Sequence, residues 1–243
     1  MGALIETWRG ASAVARWFLG APVMAYRMAY RSADKYEAHG YMAQSFIPLL
    51  KKCRITIETS GTPPARGAGC VVSHNESSFV DVAAFCTDVL PHIDRFGAAE
   101  LYGRIPLAGR AFQKAAGHLV PRGNREGTDC LMAEIVPYLQ AGDRVGWGGE
   151  GRLSGKDEVT RFKVGASLLA IRAEVPIYPV AFYGGHHIMP LGSYRARPGT
   201  AYVRFGDPIP TDGFTEDRAR DLADYVQSVV TGMYADLKRE AGR

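Results

Sequence analysis

Residues 160–182, TRFKVGASLLAIRAEVPIYPVAF, decide the fold class. FKVGASLLAIRAE (162–174) carries apolar residues at helical spacing, and VPIYPVAF (175–182) is a buried-strand run. A helix leading straight into such a strand is the unit of a layered α/β protein. Upstream, DRVGWGG (143–149) reads as a strand into a glycine turn. TDCLMAEIVPYLQAG (128–142) reads as a helix ended by Gly142, with Pro137 its awkward residue. GHLVPR (117–122) and RFGAA (95–99) read as strands, with a helix over 103–116 between them. SSFVDVAAFCTDVL (77–90) is a helix with serine available as N-cap, CVVS (70–73) a short buried strand, and RITIETSG (54–61) a strand alternating Ile55 and Ile57 with polar residues. Downstream lie a late strand at 201–210 and a closing helix at 216–240. Residues 4–33 and 34–52 read as two helices, the first to be kinked or broken at Pro22. The expected architecture is α/β: a mixed, mostly parallel central sheet flanked by helices, with an N-terminal helical hairpin. Its division is 1–52 as amphipathic helices and 53–243 as one compact α/β unit.

The 243 residues are 47% hydrophobic and 22% charged, ordinary for a chain that buries a sizeable core. A net charge of +4 suits an anionic lipid surface or a phosphorylated substrate and identifies neither. Cys53, Cys70, Cys86 and Cys130 are scattered without a C-x-x-C, so neither a zinc site nor a redox pair is signalled. There is no P-loop and no dinucleotide fingerprint, since GAGCVV (67–72) lacks the third glycine; no bound cofactor, metal or nucleic acid is expected. WFLGAPVMAY (17–26) is too short to span a bilayer and is flanked by Arg16 and Arg27. The first helix instead reads as amphipathic, with Leu4, Trp8, Val14, Phe18, Val23 and Met24 apolar and Arg9, Arg16, Arg27 and Arg31 basic, a composition that suits a lipid interface. The expected location is cytoplasmic, peripheral on the inner face of the membrane.

Four segments follow one another in fixed order: SHNESSFVD (73–81), GHLVPRGN (117–124), GGEGRLSGK (148–156) and VPIYPVAF (175–182). Together they resemble the four sequence blocks of the glycerolipid acyltransferases, the 1-acylglycerol-3-phosphate acyltransferase family. The likeness extends between the blocks, through ELYGRIPLAGRAFQKAAGHLVPRGNRE (100–126) and residues 160–182, and covers about residues 55–210. It implies transfer of a fatty acyl group from a thioester donor, acyl-CoA or acyl-carrier protein, to the free hydroxyl of a lysophospholipid-type acceptor such as 1-acylglycerol-3-phosphate.

That reaction needs a proton acceptor for a weakly nucleophilic hydroxyl, and an imidazole oriented by a carboxylate supplies one. His74 is the candidate base. The family pattern is H-x4-D, whereas here His74 and Asp81 stand as H-x6-D. Seven residues of continuous helix span about 10.5 Å, too far for a direct bond. Asp81 is the favoured orienter if residues 75–77 form a turn, and Glu76 competes for the role. The resemblance assigns Arg122 to an acceptor phosphate, a contact suited to a guanidinium fork. It assigns Glu150 to acceptor hydroxyls or to a brace, with Gly151 beside it, and Arg152 to a second phosphate contact. Asn124, Arg125 and Lys163 are weaker neighbours, Lys156 reads as solvated, and Pro179 as architectural. His186 and His187 have no nearby acid cluster and read as loop residues rather than metal ligands. The rival activities are a thioesterase or hydrolase, acyl transfer to another lyso-lipid such as a lyso-aminolipid, and lipid binding without turnover. The absence of a G-x-S-x-G elbow argues against a serine hydrolase.

Overall fold

In the computed structural model of the chain, which describes residues 2–121 and 123–242, the expected strand and helix runs assemble into three layers. Two helices come first, α1 (Gly2–Tyr30) and α2 (Lys35–Cys53). There follow β1 (Ile55–Ser60), β2 (Cys70–His74), α3 (Phe79–Ala84), β3 (Arg95–Ala99), α4 (Ala108–Lys114), β4 (Gly117–Val120), α5 (Arg125–Gln140) and β5 (Arg144–Gly148). The chain closes with α6 (Gly165–Ala173), β6 (Ile177–Tyr183), the short α7 (Gly185–Ile188), β7 (Gly199–Phe205) and α8 (Ala219–Glu240). Among the described residues the strands form one seven-stranded sheet in the order β1-β7-β6-β2-β5-β3-β4. Every pairing is parallel except β6 with β7, so the mixed, mostly parallel sheet is as expected.

The two-residue period of a strand sorts its side chains between the layers. Cys70 and Val72 of β2, with Val180 and Phe182 of β6, join the core beneath α1, α2 and α3. Val71, Ile177, Ala181 and Tyr183 join the core beneath α5, α6 and α8. Strands β2 and β6 are therefore buried on both faces, which is why they read as continuous apolar runs. Below the sheet, Asp94 and Arg144 form a buried pair. The Arg144 Nε donates to Asp94 at 2.8 Å and its backbone N–H at 2.9 Å, and the Tyr36 hydroxyl of α2 adds a bond at 2.5 Å. Burial pushes the Asp94 carboxyl up, but the bonds from Arg144 and Tyr36 outweigh it and hold the group well below the usual carboxylate range.

Several element boundaries differ from the sequence reading, each for a local reason. Helix α1 runs unbroken through Pro22, which lies on its exposed side. Helix α5 begins at Arg125, three residues before the expected start, because the Asn124 side chain caps it by accepting from the Gly127 N–H. Helix α6 begins at Gly165, after a segment tied down by long-range bonds: Thr160 N donates to Glu150, Lys163 N to the Gly149 carbonyl, and the Phe162 carbonyl accepts from Arg220. The helix expected over 77–90 is α3 followed by a wide π turn, Phe85–Val89. Helices α1 and α2 share the core of the sheet through Trp17, Met28, Phe46 and Leu49 and are not an appendage to it. The apolar residues of α1 occupy two sides rather than one. Val14 is buried, whereas Leu4, Trp8, Phe18 and Val23 are exposed, as is Leu19 at 82%.

Candidate active site

Strand β2 ends at His74, which pairs with Gly148 of β5 and Val180 of β6. The carboxyl ends of central parallel strands are where α/β sheets open into ligand crevices, and His74 lines a cavity of about 990 Å³. Its ring is held between Phe85, at 5.0 Å between centroids, and Phe182, at 5.4 Å. This burial pushes the imidazole pKa down to about 4, against the opposing pull of the Asn75 carbonyl and the Glu150 and Asp81 carboxylates.

After His74 the chain takes a course that sequence reasoning missed. The Asn75 side chain docks on β6 like an extra rung of ladder: its amide donates to the Phe182 carbonyl and its carbonyl accepts from the Phe182 N–H, both at 2.9 Å. Glu76 is thereby delivered to the cavity wall. Its backbone N–H donates to Glu150 at 2.7 Å, and its carbonyl accepts from the Ser154 N–H at 2.8 Å. Its Oε1 lies 3.5 Å from His74 Nδ1. Gly148 makes room for this pair, since a Cβ there would sit 3.3 Å from Glu76 Oε1 and 3.7 Å from the His74 ring.

The structure brings Glu76, not Asp81, beside the imidazole. Asp81 is the N3 residue of α3 in a capping box with Ser78. Its Oδ2 accepts from the Ser77 N–H and Ser77 hydroxyl, each at 2.7 Å, and from the Ser78 N–H at 3.0 Å. Residues 75–77 are irregular, neither helix nor turn, and Asp81 is spent on the donors of Ser77 and Ser78. Burial raises the Asp81 pKa over the effect of those bonds.

Glu150 is 4% exposed, and both of its oxygens are engaged. One accepts from the Glu76 N–H, and the other accepts from the N–H and hydroxyl of Thr160, at 2.5 and 2.6 Å. A carboxylate so engaged serves as a brace, one of the two roles read from the sequence, and joins the segment after β2 to the loop after β5. Thr160, its partner, carried no signal in the sequence. Gly151 lines the cavity with φ +68°, where an added Cβ would press on the Lys163 side chain at 3.2 Å. Arg152 is exposed and does not line the cavity, so the second phosphate contact expected there is not formed by the wall. Arg122 lies outside the described residues; its neighbours Pro121, Gly123, Asn124 and Arg125 line the cavity.

The cavity has two contrasting walls. One is apolar, with Trp17, Met28, Phe46, Phe96 and Phe112 from α1, α2, β3 and α4; Trp17 is fixed there by a 3.2 Å bond from its Nε1 to Ser45. The other runs along α5, α6 and the start of α8 and is charged, with Arg125, Lys163, Arg172 and Arg220 beside Asp129, Glu216 and Asp217; Arg172 is paired with Asp129 and Glu216, and Arg220 with Asp224. Lys156 is exposed beside Glu158, and His187 lies 3.0 Å from Asp157, which also accepts from Tyr234 and Lys238 of α8. The histidine doublet thus belongs to a clasp between α7, the loop after β5 and α8.

A family model described as Acyltransferase matches residues 54–183, more than half of the chain. A 1-acyl-sn-glycerol-3-phosphate acyltransferase of Haemophilus influenzae is 29% identical over 140 residues, which are 57% of this chain and 58% of that protein. One from Limnanthes alba is 29% identical over 177 residues, 72% of this chain and 61% of that protein. The chain therefore spans about three fifths of the length of these relatives. Among solved structures, the 1-acyl-sn-glycerophosphate (LPA) acyltransferase PlsC of Thermotoga maritima shares the fold, with a TM-score of 0.71 at 21% identity over 97% of this chain and 96% of that one. With residues of the first three sequence blocks lining one cavity and the family match spanning β1 to β6, the chain belongs to the Acyltransferase family.

Proposed function

We propose that the protein is an O-acyltransferase that moves a fatty acyl group from a thioester, acyl-CoA or acyl-carrier protein, to the free hydroxyl of a lysophospholipid-type acceptor such as 1-acylglycerol-3-phosphate. The observation that carries the reading is the His74–Glu76 pair opening onto a cavity with one apolar and one charged wall. The apolar wall suits an acyl chain, and Arg125 and Lys163 on the charged wall suit an acceptor phosphate or the donor's polar arm. The relatives named above carry the same activity in their names.

In the reaction the acceptor oxygen attacks the thioester carbonyl carbon while its proton passes to the His74–Glu76 pair. The C–S bond breaks, the thiolate leaves, and the proton is returned to it. Glu150 holds Glu76 in place through its backbone, and Asp81 contributes negative charge near His74 while fixing the start of α3. Arg122 is assigned to the acceptor phosphate, with Arg125 and Lys163 beside the same wall. Gly151 keeps that wall open.

The exposed side of α1, with Leu4, Trp8, Phe18, Leu19 and Val23 beside Arg16 and Arg27, is the surface through which the protein rests on the inner face of an anionic membrane. Among the described residues no helix is long and apolar enough to cross a membrane.

The test is a thiol-release assay with each donor, run with and without lysophosphatidic acid, and mass spectrometry of the lipid product. Acceptor-dependent thiol release with formation of a diacyl lipid is expected. Release at the same rate without acceptor makes the protein a thioesterase and refutes the proposal.

A further inference from the structure

The carboxylate and the imidazole of the pair are not equivalent, and their placement distinguishes their roles. The His74 side chain is 3% exposed, closed in by Phe85 and Phe182, and anchored at the end of a strand paired on both sides. The Glu76 side chain is 26% exposed and lines the cavity. His74 Nδ1 faces two acceptors, the Asn75 carbonyl at 3.4 Å and Glu76 Oε1 at 3.5 Å. A ring nitrogen set between two acceptors carries the hydrogen; it bonds the Asn75 carbonyl and lies within ion-pair distance of Glu76.

The start of α3 supplies an independent register. Ser78 is the N-cap and Asp81 the N3 residue, so the beginning of the helix is pinned. Counting H-x4-D backwards from Asp81 arrives at Glu76 rather than His74. The place that this spacing gives to an imidazole is filled here by a carboxylate, with the histidine behind it in the strand.

Electrostatics agrees with the geometry. A proton accepted by Glu76 removes a charge from a largely apolar cavity, whereas one resting on His74 puts a charge between two phenyl rings. The other titratable groups around the pair are Asp81 of α3, Glu150 of the loop after β5, and Cys86 of the π turn. Burial raises the pKa of both carboxyls against the hydrogen bonds they accept, and Cys86, whose thiol burial pushes far up, stays neutral.

We propose that the dyad is inverted in this protein: Glu76 is the catalytic residue that accepts the acceptor's proton, and His74 is a positioning residue that holds the carboxylate from behind through its Nδ1–H. The inference rests on the acyl-transfer reading above and assigns roles within the same site.

The experiment compares wild type, Glu76→Gln, Glu76→His and His74→Gln by kcat, KM and pH profile, alongside NMR of the ¹⁵N-labelled histidine ring in wild type. Glu76→Gln is expected to lose about 100-fold or more in kcat with little change in KM. Glu76→His, which restores H-x4-D, keeps measurable turnover with its acid limb moved up towards the imidazole range. His74→Gln loses less than Glu76→Gln, and its acid limb also moves up because the carboxylate has lost a donor. In wild type, His74 stays neutral with its hydrogen on Nδ1 from pH 8 to pH 5. A Glu76→Gln variant within about 10-fold of wild type, beside a dead His74→Gln, overturns the inversion. So does a His74 ring that titrates near its ordinary value or bears its hydrogen on Nε2. A wild type that transfers no acyl group refutes the acyl-transfer reading instead, and the NMR measurement then decides the arrangement of the pair by itself.

Discussion

Placing a methyl group on Gly185 strikes the carboxylate that organises the segment after β2. A Cβ built there would lie 2.1 Å from Asp81 Oδ1 and 2.5 Å from Ser78 Oγ, so the carboxylate must move by about 1 Å to reach ordinary contact. Asp81 Oδ2 holds three donors from Ser77 and Ser78, and such a movement breaks at least one of them. Overpacking costs about 1–3 kcal/mol and a lost hydrogen bond to a charged group about 1.5–3 kcal/mol, so Gly185→Ala is expected to cost about 3 kcal/mol. In a chain of this size that lowers Tm by about 6–12 °C. The decisive assay is a double-mutant cycle by urea unfolding. With Asp81→Ala already present the obstacle is gone, the Ser78 hydroxyl can turn aside, and Gly185→Ala should cost less than about 1 kcal/mol. Costs that add to within about 0.5 kcal/mol would refute the claim that Asp81 is what Gly185 accommodates.

The remaining predictions concern charge and surface. His74 has its folded pKa lowered to about 4, so its contribution to stability is complete above its unfolded value of about 6.5 and is lost as pH falls towards 4. Wild type should lose about 3 kcal/mol more than His74→Gln between pH 7 and pH 4, measured by urea unfolding; equal losses contradict the burial argument. Asp94 has a depressed folded pKa, so the stability it supplies is present above about pH 4 and declines as pH falls below it. Asp94→Ala strands Arg144 and should cost about 3–5 kcal/mol at pH 7, with a weakened acid transition. Glu150→Gln sets an amide against the donors of Glu76 and Thr160 and should lower kcat while raising protease sensitivity around residues 150–163, read by limited proteolysis. Replacing Trp8, Phe18 and Leu19 together by Ser should weaken sedimentation with anionic vesicles without lowering Tm, because all three are exposed.

The sheet was legible because its central strands are buried on both faces, and apolar runs such as CVVS and VPIYPVAF have few other uses. The start of α3 was legible because Ser78 caps it in the ordinary way. The pairing of His74 with Glu76 was legible only as the lesser of two alternatives, because it depends on Asn75 docking on Phe182, 107 positions away, which no local spacing encodes. The brace role of Glu150 was one of two readings, but its partners were hidden for the same reason: Thr160 and the Glu76 N–H reach it only after the loop has folded back. Helix α1 misled because one periodic pattern was read as a single apolar stripe, whereas the helix is apolar towards both the core and the outside. Proline within α1 and α5 did not end either helix, since loss of one backbone bond is outweighed by the packed side.

The seating of α1 has a consequence for the order of synthesis. Its Glu6 accepts from Arg195, 189 positions later in the chain, and its Gly10 lies against the Tyr194 carbonyl so closely that no side chain fits between. At ribosomal speeds of about 5–20 residues per second, a helix apolar on both sides waits about 10–40 s for the segment that clasps it to be made. During that interval α2 can cover its inner side, as Trp17 stacks on Phe46, while its outer side has only a chaperone or a lipid surface to meet, so a nascent chain that meets the bilayer first would finish folding on it.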